Sequence, residues 1–209
     1  MFFGSSLTSM AATLLAVLVA ITFHETAHGF IAYKLGDPTA KNQGRLTLNP
    51  IAHLDPVGAL LMFVAGFGWA KPVPVNPFYF EGDRNKGMML VSVAGPLTNL
   101  ALSFIAYFIF VAGEGFETIP FLSLFLRSMV TLNIYLAIFN LIPIPPLDGS
   151  KILAGFLPRN VAYQYLNTVE QYGFLILMVL IVFNITDMIL VPLANAVLNL
   201  FSMILFAIF

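Results

Sequence analysis

The sequence predicts an all-α polytopic membrane protein, a bundle of four to six transmembrane helices with a short re-entrant or β-strand loop. Of its 209 residues, 59% are hydrophobic and only 9% are charged, whereas charged residues make up about 25% of an average soluble domain. The apolar residues form several runs long enough to cross a hydrocarbon core about 30 Å thick. We therefore expect one membrane-embedded domain over residues 1–209, with a core at 6–155 and C-terminal helices at 161–209.

The composition also excludes several kinds of partner and site. The formal net charge is −1, so no strongly basic balance indicates a nucleic-acid partner. The chain has no cysteine, which excludes disulfide bonds and thiolate metal ligands. The lipid bilayer is the partner that the composition predicts.

The first predicted span runs from about Ser6 to Leu35 and ends at Gly36-Asp37-Pro38. The polar stretch after it contains Arg45–Leu48, which alternates like a short strand. Residues 56–67 are apolar but too few for a crossing, so they suit a re-entrant or tilted segment. The proline spacing of residues 66–77 excludes a regular helix and predicts an extended loop. Such a loop near a membrane must lie against protein or a watery cavity.

Two further spans are predicted in the middle of the chain. One runs from Met88 to Ala112 and is interrupted at Gly95–Asn99, and the next runs from Leu122 to Leu141. The prolines that follow must break the helix, and a new helix is expected from Ser150.

The C-terminal part is predicted to contain one interfacial piece and two apolar segments. Residues 161–171 are amphipathic, and residues 174–191 and 192–209 are apolar. Pro192, together with the polar residues 184–187, is expected to separate the last two segments.

The distribution of charge predicts the orientation in the membrane. Eight basic residues share one side if the first span enters from outside: Lys34, Lys41, Arg45, Lys71, Arg84, Lys86, Lys151 and Arg159. The acidic loop that carries Glu114 and Glu117 then lies on the other side. The positive-inside rule makes the basic side cytoplasmic.

A chemical motif lies near the end of the first span, where the sequence reads His24-Glu25-Thr26-Ala27-His28. Residues i and i+4 of a helix share a face, so His24 and His28 can present two ring nitrogens to one metal ion. Glu25 lies beside them to handle a proton. Ionisable residues within a span cost roughly 2.5–3.5 kcal/mol each on insertion scales. A chance match to the motif is the alternative, and this cost weighs against it.

A catalytic zinc site needs a third protein ligand and an open position for water. Asp148 is the best placed acid, because it follows the cytoplasmic end of its own span and Gly149 suits a turn behind it. Asp37, Asp55 and Asp83 are rivals in polar segments, where a solvated acid needs no special explanation. The alternative role for Asp148 is that of a helix N-cap residue.

Asn99 and Asn140 each allow two interpretations. An asparagine in a span can form an interhelical hydrogen bond, or it can line the cleft and bind a peptide backbone or a developing oxyanion. The two are balanced for Asn99, whereas the place of Asn140 just before the Asp148 turn favours the cleft. His53 suits a loop histidine that could line the entrance, because a fourth ligand would close the site to water.

These motifs together resemble the site-2 protease family of zinc intramembrane proteases. The resemblance rests on H-E-x-x-H at His24–His28, on G-P-L-T-N at Gly95–Asn99 and on N-L-I-P-I-P-P-L-D-G at Asn140–Gly149. It covers about residues 6–155. Compared with larger members, the sequence shows no PDZ-like insertion, no C-terminal nucleotide-sensing domain and no span ahead of the H-E-x-x-H helix.

The resemblance implies an endopeptidase that cleaves transmembrane or membrane-proximal segments of other membrane proteins. In that case His24, His28 and Asp148 bind zinc. Glu25 is the general base and acid, and Asn140 helps to position the substrate.

The family's re-entrant strands would correspond to Arg45–Leu48 and Lys71–Val75, where an unwound substrate could pair by strand addition. Two alternatives of other classes are a metal-ion transporter or channel and a proteolytically inactive scaffold. The predicted ligands share one depth and form no file across the bilayer, which disfavours a transporter. The intact Glu25 disfavours an inactive scaffold.

Overall fold

The computed structural model describes residues 6–65, 68–113 and 118–208. Across these residues the chain forms eight α-helices and no β-strand, which confirms the all-α class. The helices are α1 (Leu7–Lys34), α2 (Thr39–Asn42), α3 (Pro56–Ala65), α4 (Arg84–Ala112), α5 (Pro120–Asn140), α6 (Asp148–Phe156), α7 (Arg159–Val182) and α8 (Ile185–Ile208). Five of them, namely α1, α4, α5, α7 and α8, are long and apolar enough to cross a membrane. This number lies within the predicted range of four to six.

Helix α1 begins and ends within one residue of the predicted span. The Ser6 hydroxyl accepts a hydrogen bond from the Ser9 amide and caps the first turn. At the other end, Gly36 has a φ of 103°, a left-handed conformation that glycine adopts without strain. One face of α1 carries a small residue or a histidine at every fourth position, all of them buried: Ala12, Ala16, Ala20, His24, His28 and Ala32. Small residues let neighbouring membrane helices approach closely.

The predicted interruption at Gly95–Asn99 is wrong, because α4 continues through Pro96. Proline removes one backbone donor from the helix, but membrane helices tolerate it where neighbouring groups compensate. The helix also begins earlier than the predicted Met88. Asp83 is its N-cap and accepts hydrogen bonds from the amides of Asn85 and Lys86.

The predicted strand at Arg45–Leu48 is also wrong. This segment is bent, and its Arg45 side chain donates from Nη2 to the carbonyl oxygens of Lys71 and Pro72, at 2.8 and 3.2 Å. Residues 71–76 follow no helix, as predicted, and they do not form a sheet. In the described ranges the β-pairing is limited to one isolated bridge between Leu54 and Ala70. Residues 66 and 67 of the predicted loop lie outside the described residues.

The C-terminal part breaks at the predicted residues 184–187 but not at the predicted Pro192. Residues 161–171 belong to α7, a single helix that ends at Val182. The chain turns at Asn184, which has a φ of 55°, and asparagine is one of the residues that enter this left-handed region. Helix α8 then runs through Pro192 without a break. The loop of residues 114–117, which contains Glu114 and Glu117, falls outside the described ranges.

Helices α1, α4 and α5 pack against one another at the centre, with α6 on α4, α7 on α6, and α8 on α5 and α7. The main apolar core lies where α4, α5 and α8 meet beside α1. Its buried members are Ala16, Ala106, Leu126, Met129, Val130, Ile134, Ile138, Leu190, Ala194 and Phe201.

Candidate metal centre and active site

The structure brings His24, His28 and Asp148 together at one point inside the bundle. The two Nε2 atoms lie 2.9 Å apart, and Oδ2 of Asp148 lies 3.2 Å from the first and 3.3 Å from the second. All three residues are buried. Each offers one ligand atom, and these atoms lie within 4.8 Å of one another.

Helix geometry and one tight turn produce this arrangement. The histidines are one turn apart on α1, while Asp148 is the first residue of α6. The chain between α5 and α6 folds back so closely that a Cβ at Gly149 would lie 2.2 Å from the Leu141 carbonyl oxygen. Leu147 is the N-cap residue of α6, so Asp148 does not take the N-cap role that its sequence position also allowed.

Gly95 provides the surface against which both imidazole rings lie. A Cβ at this position would be 2.5 Å from Cε1 of His24 and 2.6 Å from Cε1 and Nε2 of His28. A methyl group cannot occupy that space without moving a ring. The glycine of the G-P-L-T-N sequence is therefore required by the packing of two imidazole rings of another helix.

A chain of amide hydrogen bonds fixes the proton on His24. Asn133 donates from Nδ2 to the Met129 carbonyl, so its Oδ1 is the atom that accepts from Asn99 Nδ2 at 2.7 Å. Nδ2 of Asn99 also donates to the Ala20 carbonyl at 3.2 Å. Asn99 Oδ1 must then accept at 2.6 Å from Nδ1 of His24. With its proton on Nδ1, a neutral His24 presents a bare Nε2 to the cluster.

His28 has the same arrangement with a backbone partner. Its Nδ1 lies 2.7 Å from the Val91 carbonyl oxygen, which can only accept, so the proton is again on Nδ1. Two unprotonated Nε2 atoms and a carboxylate oxygen therefore point at one another. Oδ2 of Asp148 is buried and has no hydrogen-bond partner. The lone pairs of these three atoms converge with no proton between them, an arrangement that suits a bound cation. Three protein ligands of this kind are the usual number in a catalytic zinc site.

Glu25 faces the same space and is held by the extended segment. Its Oε2 accepts a hydrogen bond of 2.8 Å from the Val73 amide. The segment is held upstream by the buried Arg45 and downstream by the fully buried Asp37, whose Oδ2 accepts from the Asn76 amide at 2.6 Å. We call residues 71–76 the strap. The strap lies beside the three candidate ligands, and its Val73 amide orients the Glu25 carboxylate.

The two asparagines lie in different places. Asn99 is fully buried between helices, where it orients His24. Asn140 is half-buried at the end of α5 and donates to the Leu136 carbonyl at 2.9 Å. It lines an open cavity of about 380 Å³ together with His24, Glu25, His28, Asp148, Val73 and Lys151. Only Asn140 therefore has the access that contact with a substrate requires.

The other acidic and imidazole candidates lie apart from the cluster. Asp55 accepts from the amides of Val57 and Gly58 and caps α3, while Asp83 caps α4. His53 is fully buried and contacts the Thr47 carbonyl through Nε2 at 2.8 Å. It belongs to the loop packing and does not join the group that could hold a metal.

Sequence reasoning missed two contributors to this site. Asn133 was not singled out, although an asparagine in the interior of an apolar span is itself a signal for a buried polar contact. The role of Val73 gave no signal, because its contact with Glu25 is made by a backbone amide that every non-proline residue possesses.

A buried group of three potential metal ligands with an adjacent glutamate, inside a bundle of apolar helices, is typical of membrane-embedded metallopeptidases. Comparison with known proteins agrees. The sequence pattern of peptidase family M50 matches residues 117–183. "Putative zinc metalloprotease YwhC" of Bacillus subtilis is 45% identical over 208 residues, which cover 95% of this chain and 94% of the relative.

More distant relatives carry similar names. "Putative zinc metalloprotease Rip2" of Mycolicibacterium smegmatis is 29% identical over 79% of this chain and 64% of its own length. "Putative zinc metalloprotease MJ0611" of Methanocaldococcus jannaschii is 30% identical over 68% of each chain. No solved structure gives a significant match. The chain belongs to peptidase family M50, the site-2 protease family, whose cofactor is zinc.

Proposed function

We propose that this chain is a zinc-dependent intramembrane endopeptidase that hydrolyses peptide bonds in or near transmembrane segments of membrane-protein substrates. The observation that carries the proposal is the position of the cluster. His24, His28, Asp148 and Glu25 line one cavity within a bundle of membrane-length helices. A peptide bond that reaches these groups therefore lies among helices of membrane-spanning length.

Each residue has a distinct task in this reaction. Zinc, when bound, supplies a Lewis acid for the scissile carbonyl and lowers the pKa of water to about 7. Glu25 takes the proton from the attacking water and passes it to the leaving amine. The Val73 amide keeps the Glu25 carboxylate in place during both transfers. The Asn140 amide, beside the same cavity, can donate a hydrogen bond to the oxygen that develops negative charge.

The strap supports a role in substrate presentation. A helical substrate hides its peptide groups, so the segment to be cut has to unwind before hydrolysis. Residues 71–76 lie extended along the cavity without a sheet partner, and an extended segment can accept an unwound chain by strand addition. Val73 donates its own amide to Glu25 and Pro72 and Pro74 have no N–H, so pairing would use the Val75 amide and the Val73 carbonyl.

The ends of the helices support a cytoplasmic location for the active site. Lys34 ends α1, Arg84 begins α4 and Arg159 begins α7, and α1 packs directly on α4. These basic termini lie toward the end of the bundle that carries His28 and Asp148. Positive residues accumulate on the cytoplasmic side of membrane proteins.

The substitution Glu25→Gln tests the proposal. We expect the variant to keep its zinc and to lose at least about a hundredfold in hydrolysis, because proton transfer contributes roughly 10²–10⁴ in rate. The assay uses purified protein in detergent with a single-span test substrate, with and without a chelator, and zinc is measured by elemental analysis. Glu81→Gln is the matched control, since Glu81 is an exposed glutamate outside the cavity. Full activity in Glu25→Gln would contradict the proposal.

A further inference from the structure

A second cavity meets the first at the catalytic groups. It has a volume of about 210 Å³ and shares His24, Glu25 and Asn140 with the larger cavity. The candidate metal ligands His28 and Asp148 line the larger cavity but do not line the second. We call it the apolar cavity.

The rest of its lining is apolar. Ile21 lies one turn before His24 on α1, and Leu136 lies one turn before Asn140 on α5. The remaining residues come from the end of α5, the turn after it and the loop before the strap: Gly68, Trp69, Ala70, Phe139 and Leu147. Apart from the three shared residues, the lining residues that the structure describes carry no charge. The chemistry of this space therefore favours an uncharged, apolar occupant.

Its size indicates what kind of occupant. Pockets for independent small ligands are usually about 300–1,000 Å³, and a water molecule has a share of about 30 Å³ in the liquid. The cavity is smaller than such a pocket and much larger than a single water site. It matches one large side chain delivered by a longer molecule.

We infer that the apolar cavity binds the side chain of a large apolar substrate residue, of the size of leucine or phenylalanine, next to the scissile bond. The inference rests on the proposed endopeptidase function. In an extended chain, successive side chains point to opposite sides. One neighbour of a bond placed beside Glu25 therefore points into the apolar cavity, and the next points toward the larger cavity that contains Lys151. The enzyme therefore selects the substrate residue that enters the apolar cavity for an apolar side chain and for its size.

Leu136 is the lining residue to change, because it is only partly buried and is absent from the main apolar core. Leu136→Phe reduces the cavity and Leu136→Ala enlarges it. The substrates form a set that differs only in the residues flanking the cleaved bond, with alanine, leucine, phenylalanine or tryptophan at each position. Leu124→Phe and Leu124→Ala are matched controls on α5, far from the cavity.

We expect Leu136→Phe to lower kcat/KM for leucine and phenylalanine substrates roughly tenfold or more relative to the alanine substrate, the usual effect of a size mismatch in a hydrophobic pocket. We expect Leu136→Ala to raise relative cleavage of the tryptophan substrate, and the Leu124 variants to leave all ratios unchanged. An unchanged ratio in both Leu136 variants, with activity retained, would overturn the inference.

A binding measurement separates this inference from the proposed function. Trp69 is the only tryptophan of the chain, so its fluorescence reports directly on the cavity wall. In a Glu25→Gln background, a bromophenylalanine is moved one position at a time along a tryptophan-free substrate. We expect strong quenching at one position beside the scissile bond and weak quenching at its immediate neighbours. Uniform or absent quenching would refute cavity binding, whether or not the active protein cleaves any substrate.

Discussion

The central helices α1, α4 and α5 differ from the outer pair α7 and α8 in how they are held. In the most apolar window of α5, 39% of the residues are buried, against 11% for α7. Polar contacts follow the same division. Asn99, Asn133 and His24 form a buried network across three central helices, while α7 is attached by Tyr165 and Arg159 near its exposed end.

This difference has a physical meaning in a membrane. Lipid is as apolar as leucine, so helix association depends on close packing and interhelical hydrogen bonds. The central helices have both, through their small residues and their asparagine network. Helix α7 relies on side-chain packing over most of its length, and α8 adds one hydrogen bond of 2.7 Å to α4, between the hydroxyls of Ser202 and Tyr107. The asparagines that orient His24 in the candidate metal site therefore also link the central helices.

The largest expected effect comes from Gly95→Ala. The added methyl would lie within 2.6 Å of both imidazole rings, so the rings must move and the cluster opens. We expect zinc affinity to fall by at least a hundredfold, measured by competition with a chromogenic chelator.

Gly155→Ala is the control, because it adds the same methyl against Met89 on another helix pair. It should lower stability while leaving zinc affinity close to that of the parent protein. Equal zinc affinities for the two variants would show that Gly95 has no special relation to the cluster.

The next largest effects are expected from Asn99 and Asn140, whose substitutions should change different properties. We expect Asn99→Ala to lower zinc affinity about 10–100-fold, the usual result of removing a partner that orients a ligating histidine. Asn140→Ala should keep zinc and lower kcat. Zinc titration and steady-state kinetics on both variants give the measurement. The opposite pattern would reverse the roles assigned to them.

The smallest effect is expected at the surface of the outer helices. The Arg159 guanidinium lies 2.7 Å from the Asp83 carboxylate and lowers the pKa of Asp83 from 3.8 to about 2. Because the folded pKa is depressed, the pair stabilises the fold above about pH 4, and this contribution is lost as the pH falls toward 2. Arg159 is exposed and Asp83 is partly exposed, so water and salt screen the pair and its contribution is small.

We therefore expect Arg159→Gln to unfold at nearly the same temperature as the parent protein at neutral pH. The small remaining difference should disappear between pH 4 and pH 2, measured by thermal unfolding at low salt. Lys86→Gln is the control for the loss of one positive charge. A large destabilisation at neutral pH that salt does not reduce would mean that α7 depends on more than surface charge.

The sequence predicted the elements whose signals are local. The first span, the helical class and the H-E-x-x-H ligand pair follow from apolar run length and from the spacing of two residues on one helix. The proximity of Asp148 to this pair also followed, because charge distribution placed the two segments at one depth. The structure brings the three side chains together as that argument required.

The sequence-based predictions were wrong where contacts with distant residues override the local preference for a helix break or a strand. Pro96 and Pro192 predict breaks, but both helices continue in surroundings where proline is tolerated. Arg45–Leu48 has the alternation of a strand, yet its arginine bonds the carbonyl groups of a segment 26 residues later. The contact between Val73 and Glu25 uses a backbone amide, so no side-chain pattern could have shown it.

The separation of the ligands along the chain has a consequence for biosynthesis. His24 leaves the ribosome early, whereas Asn99 and Asn133 are made as part of the next two spans and Asp148 follows only after both. A nascent protein holding α1 alone has neither the third ligand nor the amides that set the imidazole proton. Stable uptake of the cation is thus delayed until three helices have been inserted and docked, which keeps the unfinished enzyme inactive while its own hydrophobic segments are still unpacked.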